Sequence, residues 1–506
     1  MPIELSNITF TDQADILPAS GVEKIYNTSI ANTLAGDDII NGESGDRKDR
    51  IPNGGGRTYP MGGIVNIGTL NTDDGNDRLT GLSNAADPNP RNWSSGYGIY
   101  NEKGIIDTGD GNDILTGLLN SQNLNAGFGI YNQQGIINTG DGDDTIIATN
   151  NFTTTVSQRI LGIYSVSSSI NTGNGNDIIT ATGRDQGFWG QSSTLDTGSG
   201  NDIITATGVS GSGILNSSSS INTGDGDDII AGNGGRFSGI NNTTSSSIYT
   251  GEGNDIISGI NTWVTTTREG TGIGNNGIID SGDGNDTITG SGPLSILNFG
   301  TIDTGNGRDS IVSQRNFINR GKVSLGEGND SIIADTDLPD PAFENSNTID
   351  TGEGDDIITS TGVIYNTGVI NTGNGNDYIE GADNTGTGYG IYNNGGSIDT
   401  GDGNDSIIAN GGFQSGPNSS GAWFLGEGED YINGFGSGDF YGGNGNDTLE
   451  LTPGTYTVGI WGEGGESPIF TKGNQLMITS EFEKLKAGST IYDFTRLTTG
   501  QISTVA

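Results

Sequence analysis

The sequence predicts an all-β fold, a right-handed parallel β-helix or β-roll solenoid, on three observations. A Gly-x-Gly-x-Asp turn recurs along most of the chain, in register with flanking Ile residues. A second short motif precedes many of these turns at a nearly constant offset. Apolar residues make up only 30% of the 506 positions, too few for several layered cores, while Gly accounts for 91. High Gly with acidic polarity is the composition of a disordered chain unless the Gly are periodic. Here they are periodic, so the repeat decides the class.

The turn defines the repeat. Residues 106–116 read IDTGDGNDILT, and the pattern returns at 137–148, 170–180, 195–205, 221–231, 248–258, 279–289 and 302–312. It continues at 323–333, 349–359, 370–380, 398–409, 426–432 and 443–449. That is about 14 good copies, separated by roughly 17 to 33 residues, the interval expected of a solenoid. Two weaker copies come first, TDDGNDRL at 72–79 and LAGDDII at 34–40. The second motif is GIYN at 98–101, 129–132 and 390–393, GILN at 213–216 and VIYN at 363–366. Its apolar residue lies roughly 9 to 11 residues before the second Gly of the turn, as a fixed part of one repeat should. Length differences therefore collect in a single variable loop per coil, such as 150–161 or 258–272.

These elements predict two short strands per coil, with Ile106 and Leu115 pointing inward on either side of the turn and Gly-Ile-x-Asn turning at the opposite edge. One coil cannot bury its Ile alone and needs neighbours above and below. At about 4.8 Å per strand, some 15 coils would span roughly 70 Å. The solenoid is expected over residues 34–450, with an N-terminal cap or assembly arm at 1–33 and a small β-rich C-terminal cap at 451–506. In the cap, Tyr456, Val458 and Ile460 alternate as in a strand, as do Leu476 and Ile478; Phe482, Leu485, Ile491, Phe494 and Leu497 add apolar mass. Segment 41–62 is turn-rich and expected as an exposed loop.

Charge narrows the chemistry. The formal net charge is −42, with 62 acidic residues against 20 Lys and Arg. Nucleic acid is excluded as a partner, because phosphate contacts need clustered cations. Self-repulsion on this scale opposes a compact fold unless something cationic neutralises it. Hard divalent cations with oxygen ligands suit that role. The chain has no Cys and no His, so thiolate and imidazole metal sites are excluded. No apolar run reaches the 18 residues of a membrane span. The N-terminus, MPIELSNITFTDQ, lacks the basic and apolar regions of a signal peptide.

Residues 442–450, GGNGNDTLE, match the nine-residue signature G-G-x-G-x-D-x-U-x at every position; most other copies carry Thr first, as in TGDGNDILT at 108–116. With these turns the chain resembles the RTX calcium-binding repeat proteins over residues 70–450. The resemblance implies Ca²⁺ held between turns of successive coils by Asp side chains and backbone carbonyls. Carried over residue by residue, the carboxylates are Asp77, Asp113, Asp144, Asp177, Asp202, Asp228, Asp255 and Asp286, then Asp309, Asp330, Asp356, Asp377, Asp405, Asp430 and Asp447. The carbonyls lie near Gly109, Gly111, Gly140, Gly142, Gly173, Gly175, Gly198, Gly200, Gly224, Gly226, Gly251, Gly253, Gly282 and Gly284. Further along they lie near Gly305, Gly307, Gly326, Gly328, Gly352, Gly354, Gly373, Gly375, Gly401, Gly403, Gly426, Gly428, Gly443 and Gly445. Most turns are separated by the Gly-Ile-x-Asn segment, which lacks the Asp. One calcium-bearing edge is therefore expected, opposite an edge carrying an Asn or Gly ladder. About one ion per coil, about 14 in all, would add about +28. The bland alternative is a solvated turn with no metal, since Asp-Gly and Asn-Gly are common turn chemistry.

The C-terminal stretch SEFEKLKAGSTIYDFTRLTTGQI is similar to the ends of RTX-type proteins from cyanobacteria, which implies type I secretion through an uncleaved C-terminal signal. Without His the chain cannot carry a zinc-protease motif or a hydrolase triad. A β-helix polysaccharide lyase or epimerase, working with carboxylates and Tyr, stays open as an alternative. Ice binding through the third turn position is disfavoured, because Asp110, Asp141, Asn174, Ser199, Glu252 and Glu327 are charged or irregular there. The expected function is a secreted calcium-binding structural protein of the cell surface, a coat, S-layer or fibril. In architecture it resembles the oscillin-type surface proteins of filamentous cyanobacteria. An adhesin or matrix protein is the alternative. Expected partners are further copies of the chain and cell-surface polysaccharide, with Trp93, Trp189 and Trp263 as candidate lateral contacts.

Overall fold

The structure, a computed structural model, describes residues 2–18, 23–44, 52–53, 57–58, 61–84, 95–120, 126–151, 159–263, 270–336, 341–384, 386, 388–416, 421–461 and 467–504. It is a parallel β-helix. The chain divides into two compact units, Met1–Gly282 with Ser291–Pro293, and Asp283–Gly290 with Leu294–Ala506.

In the first unit each coil contributes three strands, where the sequence suggested two. The coil around residue 110 shows the plan: Ser95–Glu102 forms a first face, Ile105–Asp107 a second and Ile114–Leu119 a third. Each strand pairs in parallel with its counterpart one coil on. Ile99 lies opposite Ile130, Ile106 opposite Ile137 and Leu115 opposite Ile146. The Gly-Ile-Tyr-Asn motif is thus a strand in its own right. The bend comes after it, at Lys103, whose φ is +58°. Ile99, Ile106 and Leu115 are completely buried and form three inward files. Burying an Ile side chain is worth about 1.5–3 kcal/mol, so the stack holds only because every coil repeats the triplet.

The first and third faces approach closely enough to require Gly between them. A Cβ on Gly98 would stand 2.3 Å from the Leu118 nitrogen and 2.6 Å from the Gly129 oxygen. This gives the Gly of the Gly-Ile-Tyr-Asn motif its reason. Outside the first face, Tyr97 stacks on Phe128 (5.4 Å between centroids) and Tyr100 on Tyr131 (5.4 Å). Tyr164 and Trp189 continue the row.

Residues 1–33 join the same ladders. Ile3–Glu4 pairs with Ile25–Asn27, which pairs with Met61–Asn66, while Ile30–Asn32 pairs with Thr69–Asn71. Leu5 and Ile25 are buried, whereas Ile8 and Ile16 are exposed. Segment 41–62 is not one loop: Ile39–Ser44 is a third-face strand and Met61 opens a first-face strand, and most of the intervening residues lie outside those described.

The second unit repeats the plan with shorter strands. Phe317–Asn319, Lys322–Ser324 and Ser331–Ala334 pair in parallel with Phe343–Asn345, Thr348–Asp350 and Ile357–Ser360. It ends in an antiparallel cap. Gly454–Trp461 pairs with Ser467–Lys472 and Gly500–Thr504, and Ser467–Lys472 pairs with Gln475–Ser480. Gln475–Ser480 runs parallel to Gly438–Tyr441, which seats the cap on the last coil. Tyr456, Val458, Phe470, Met477, Leu485 and Phe494 fill its core. Leu476 and Ile478 do alternate, but on the outer side; Met477 and Thr479 take the inner positions. Ile491 is likewise exposed, on the outer hairpin strand Thr490–Asp493.

Candidate metal site

The Gly-x-Gly-x-Asp turn links the second face to the third. Its second-position Gly residues, from Gly109 to Gly443, have φ between +79° and +101°, and its fourth-position Gly residues, from Gly111 to Gly445, between +132° and +159°. Conformation is only half the constraint. A Cβ on Gly140 would lie 1.8 Å from the Gly109 oxygen, and one on Gly142 would lie 1.9 Å from the Gly111 oxygen. The carbonyls of one turn therefore point at the next, in two close files that no side chain can enter. In the second unit some already accept an amide: Gly326 from Glu353 (3.0 Å), Gly401 from Glu427 (3.2 Å), Gly426 from Asn444 (2.9 Å) and Gly428 from Asn446 (3.3 Å).

The sixth-position Asp residues form a continuous file within each unit, every one at most 1% exposed. In the first unit the Asp77 amide donates to Asp113 Oδ1 (2.7 Å), Asp113 to Asp144 (2.7 Å), Asp144 to Asp177 (2.8 Å) and Asp177 to Asp202 (2.8 Å). Asp202 donates to Asp228 (2.7 Å) and Asp228 to Asp255 (2.8 Å). In the second unit the same bond joins Asp286 to Asp309, then Asp330, Asp356, Asp377, Asp405, Asp430 and Asp447, at 2.7–2.9 Å. Each carboxylate thus spends one oxygen on the coil before it.

The other oxygen has no hydrogen-bond partner in Asp77, Asp113, Asp144, Asp177, Asp202 or Asp228, nor in Asp309, Asp330, Asp356, Asp377, Asp405, Asp430 or Asp447. The first-position Thr hydroxyl reaches the next coil, Thr108 lying 3.2 Å from the Thr139 carbonyl, and its interaction with the carboxyl offsets only part of the effect of burial. Burial pushes these carboxyls above the usual carboxylate value near 4. Asp113 and Asp405 rise to about 8, and Asp177, Asp228, Asp309, Asp377 and Asp430 to about 7. Asp77, Asp144, Asp202, Asp255, Asp330, Asp356 and Asp447 rise to about 6. Like charge from the adjacent coil adds to the rise at Asp113 and Asp405.

A second file runs beside it at the fifth position, exposed and oppositely directed. The Asn112 amide donates back to Asn76 Oδ1 (3.0 Å), Asp143 to Asn112 (3.0 Å) and Asn176 to Asp143 (2.8 Å). Those amide bonds hold Asp143, Asp227 and Asp355 below the usual carboxylate range. The turn therefore has satisfied carboxylates outside and unsatisfied ones inside.

These donors fit a hard divalent cation. Every available ligand atom is oxygen, and a buried, unpartnered carboxylate oxygen recurs in consecutive coils. No group of three acidic side chains converges among the described residues, so backbone carbonyls would have to complete any ion's shell. The corner between the first and second faces, expected from the sequence as an opposite edge, lies one three-residue strand from the Asp turn and carries different chemistry. There, buried amides form a ladder, Asn27 to Asn66 (2.9 Å), Asn66 to Asn101 (2.8 Å) and Asn101 to Asn132 (2.9 Å). It is interrupted at Ser165 and Gly190 and resumes as Asn216 to Asn242 to Asn275 (2.9 Å each). In the second unit it runs Asn298, Asn319, Asn345, Asn366, Asn393 at 2.9–3.0 Å.

Three participants were not singled out from the sequence. Asp38 begins the buried file, its amide donating to Asp77 Oδ1 (2.7 Å); its turn, LAGDDII, is the first of the two weak copies. Glu483 ends it, accepting the Asp447 amide (2.8 Å). Only its place after the last repeat could have suggested it. The first-position Thr residues form a third ladder. Of the Trp side chains, Trp189 lies 4.8 Å from Tyr164 with Arg159 above it, Trp263 is exposed, and Trp93 lies outside the described residues. An open groove of about 720 Å³ beside Ser168, Ser193 and Ser219 is lined by Ser, Thr, Gln, Gly and Ile, with no titratable side chain.

No family model matches the chain, and no curated protein matches it. Among solved structures it is similar to the X-ray crystal structure of a hyperactive, Ca²⁺-dependent, β-helical antifreeze protein from an Antarctic bacterium. The identity is 18% and the TM-score 0.30, over 72% of this chain and 84% of that one.

Proposed function

We propose that the protein is a secreted, calcium-binding structural protein of the cell surface, whose solenoid assembles with further copies into a coat, S-layer or fibril. One observation carries the calcium reading: the file of buried carboxylates, thirteen of which, among them Asp113 and Asp405, have one oxygen without a hydrogen-bond partner, in a chain of net charge −42. At neutral pH such a file is held together by protons or by cations. The Asp residues from Asp77 to Asp447 would supply one carboxylate ligand per turn, and the second- and fourth-position Gly carbonyls the remainder. When bound, the ion supplies positive charge between coils and requires no chemistry of the chain.

The structural role is supported by how the residues are spent. The described chain is repeat and cap. No helix among the described residues is long and apolar enough to cross a membrane. Extracellular calcium modules bind at about 10⁻⁴ to 10⁻³ M. In a cytosol the sites would stay empty and the buried charge would oppose folding; outside, binding to the folded form alone would stabilise it.

Negative-stain electron microscopy with far-UV circular dichroism tests both parts. In EDTA the chain is expected to lose its β-sheet signal at neutral pH, and millimolar calcium should restore it and produce filaments or sheets. A native spectrum in EDTA that calcium leaves unchanged would sink the calcium reading. Folded single particles that never associate would sink the coat.

A further inference from the structure

The third face of the first unit is free of charge over six consecutive coils. From Ile114 to Ile260 its strands pair in register, and their outward positions form three files. The file nearest the acidic turns reads Ile114, Thr145, Ile178, Ile203, Ile229, Ile256. The middle file reads Thr116, Ile147, Thr180, Thr205, Ala231, Ser258, and the far file adds Thr182 beside Thr207 and ends at Ile260. Ile178 and Ile256 are 42% and 41% exposed. Just past the far file stand Val209 at 66%, Phe237 at 55% and Trp263 at 43%. In the second unit the same files stay uncharged from Thr287 to Thr359 and carry charge at Glu380, Glu450 and Lys486, but the uncharged strands there run only four or five residues, so the broad six-residue face belongs to the first unit.

Such a patch on a chain of net charge −42 is where two like-charged copies can meet without setting carboxylate against carboxylate. Six strands at about 4.8 Å and six residues at about 3.3 Å span about 29 by 20 Å. That is roughly 600 Å² per copy, or about 1,200 Å² in a pair, the lower end of specific interfaces. The strands begin at the acidic turns and end away from them, two of the six beside Arg184, which pairs with Asp185 (3.1 Å), and Arg236. Two faces packed with antiparallel strands would set the acidic turns of one copy against the turn-distal strand ends of the other and keep the two rows of carboxylates apart, a self-complementary twofold contact.

We infer that this face is a homotypic docking surface: a second copy of the chain seats its own third face on it, with the strands of the two copies antiparallel. The inference rests on the self-assembly proposed above and names the surface that carries it. The test uses full-length protein in millimolar calcium. Sedimentation velocity across a concentration series is compared for the wild type, for Thr180→Glu with Ala231→Glu, and for Ile408→Glu, beside Glu380 on the charged part of the second unit's third face. The double variant buries charge in alternate coils of the docked face but leaves it in water in a single copy. It should therefore keep its calcium-dependent circular dichroism and associate at least tenfold more weakly, while Ile408→Glu associates like the wild type. Because the chain has no Cys, Thr205→Cys places one thiol near the centre of the patch. A short bis-maleimide should join two such copies, and Ile408→Cys should not be joined. Equal association of wild type and double variant, both folded, would overturn this surface and leave the coat reading standing. A wild type that folds with calcium yet stays monomeric at every concentration would overturn both.

Discussion

Asp228 puts two tasks on one side chain. Its Oδ1 accepts the Asp202 amide at 2.7 Å, and its Oδ2 has no protein partner. Two substitutions separate the tasks. Asp228→Asn keeps an acceptor for the Asp202 amide and removes the buried charge. It should lower the number of bound calcium ions by about one, yet move upward the pH at which the metal-free protein unfolds. Asp228→Ala leaves a buried amide without an acceptor, which costs about 1–3 kcal/mol. It should lower stability with calcium or without it. Isothermal titration and thermal melts on the two variants distinguish the roles, and identical behaviour of Asn and Ala would refute the division of labour.

The turn owes its shape to contact between coils as much as to backbone freedom, which a pair of Gly substitutions shows. Gly142→Ala would force a Cβ to 1.9 Å from the Gly111 oxygen at φ +144°. Gly473, in a hairpin of the cap, also has positive φ (+62°), but a Cβ there would meet nothing within 4 Å. Gly473→Ala should cost about 1–2 kcal/mol, the ordinary penalty for a left-handed conformation. Gly142→Ala should cost several-fold more in calcium-dependent melts, and equal losses would mean that the coils can separate freely at the turn. The turn was legible in the sequence because its residues face obligatory constraints: two Gly with no room for a Cβ, one Asp, one inward Leu or Ile. The opposite edge was legible as an Asn ladder, since only a repeated side chain can bond to its own copy one coil on. The third strand was not. In Tyr97-Gly98-Ile99-Tyr100 aromatic rings pack outside the sheet while Ile99 packs inside, so inner and outer sides look equally apolar. In the cap, alternation at Leu476 and Ile478 showed the period of the strand but not its phase, and the inner side belongs to Met477.

Across the whole molecule the raised carboxyls reverse the usual pH dependence of an acidic protein. A carboxyl whose folded value lies at about 6 to 8, against about 4 unfolded, binds more protons folded than unfolded between those limits. The metal-free protein is therefore favoured by low pH, with that contribution full below about pH 4 and lost as pH rises through 6 to 8. The exposed fifth-position carboxyls, held low, act in the opposite sense only at and below about pH 4. In EDTA the melting temperature should fall as pH rises from 5, until the fold is lost near neutral pH. In millimolar calcium that fall should disappear, since ions replace the departing protons. Parallel pH profiles with and without calcium would show that the buried file does not bind the metal.

The buried Asp bond measures 2.7 Å between Asp38 and Asp77, which are 39 residues apart, and 2.9 Å between Asp430 and Asp447, which are 17 apart. The ladder therefore keeps no record of how much chain lies between its rungs. A gene encoding it could gain or lose a whole coil, by duplication or deletion, and the remaining rungs would still meet. The number of coils is then a heritable length setting, adjustable in steps, with the caps and the turn chemistry left as they were.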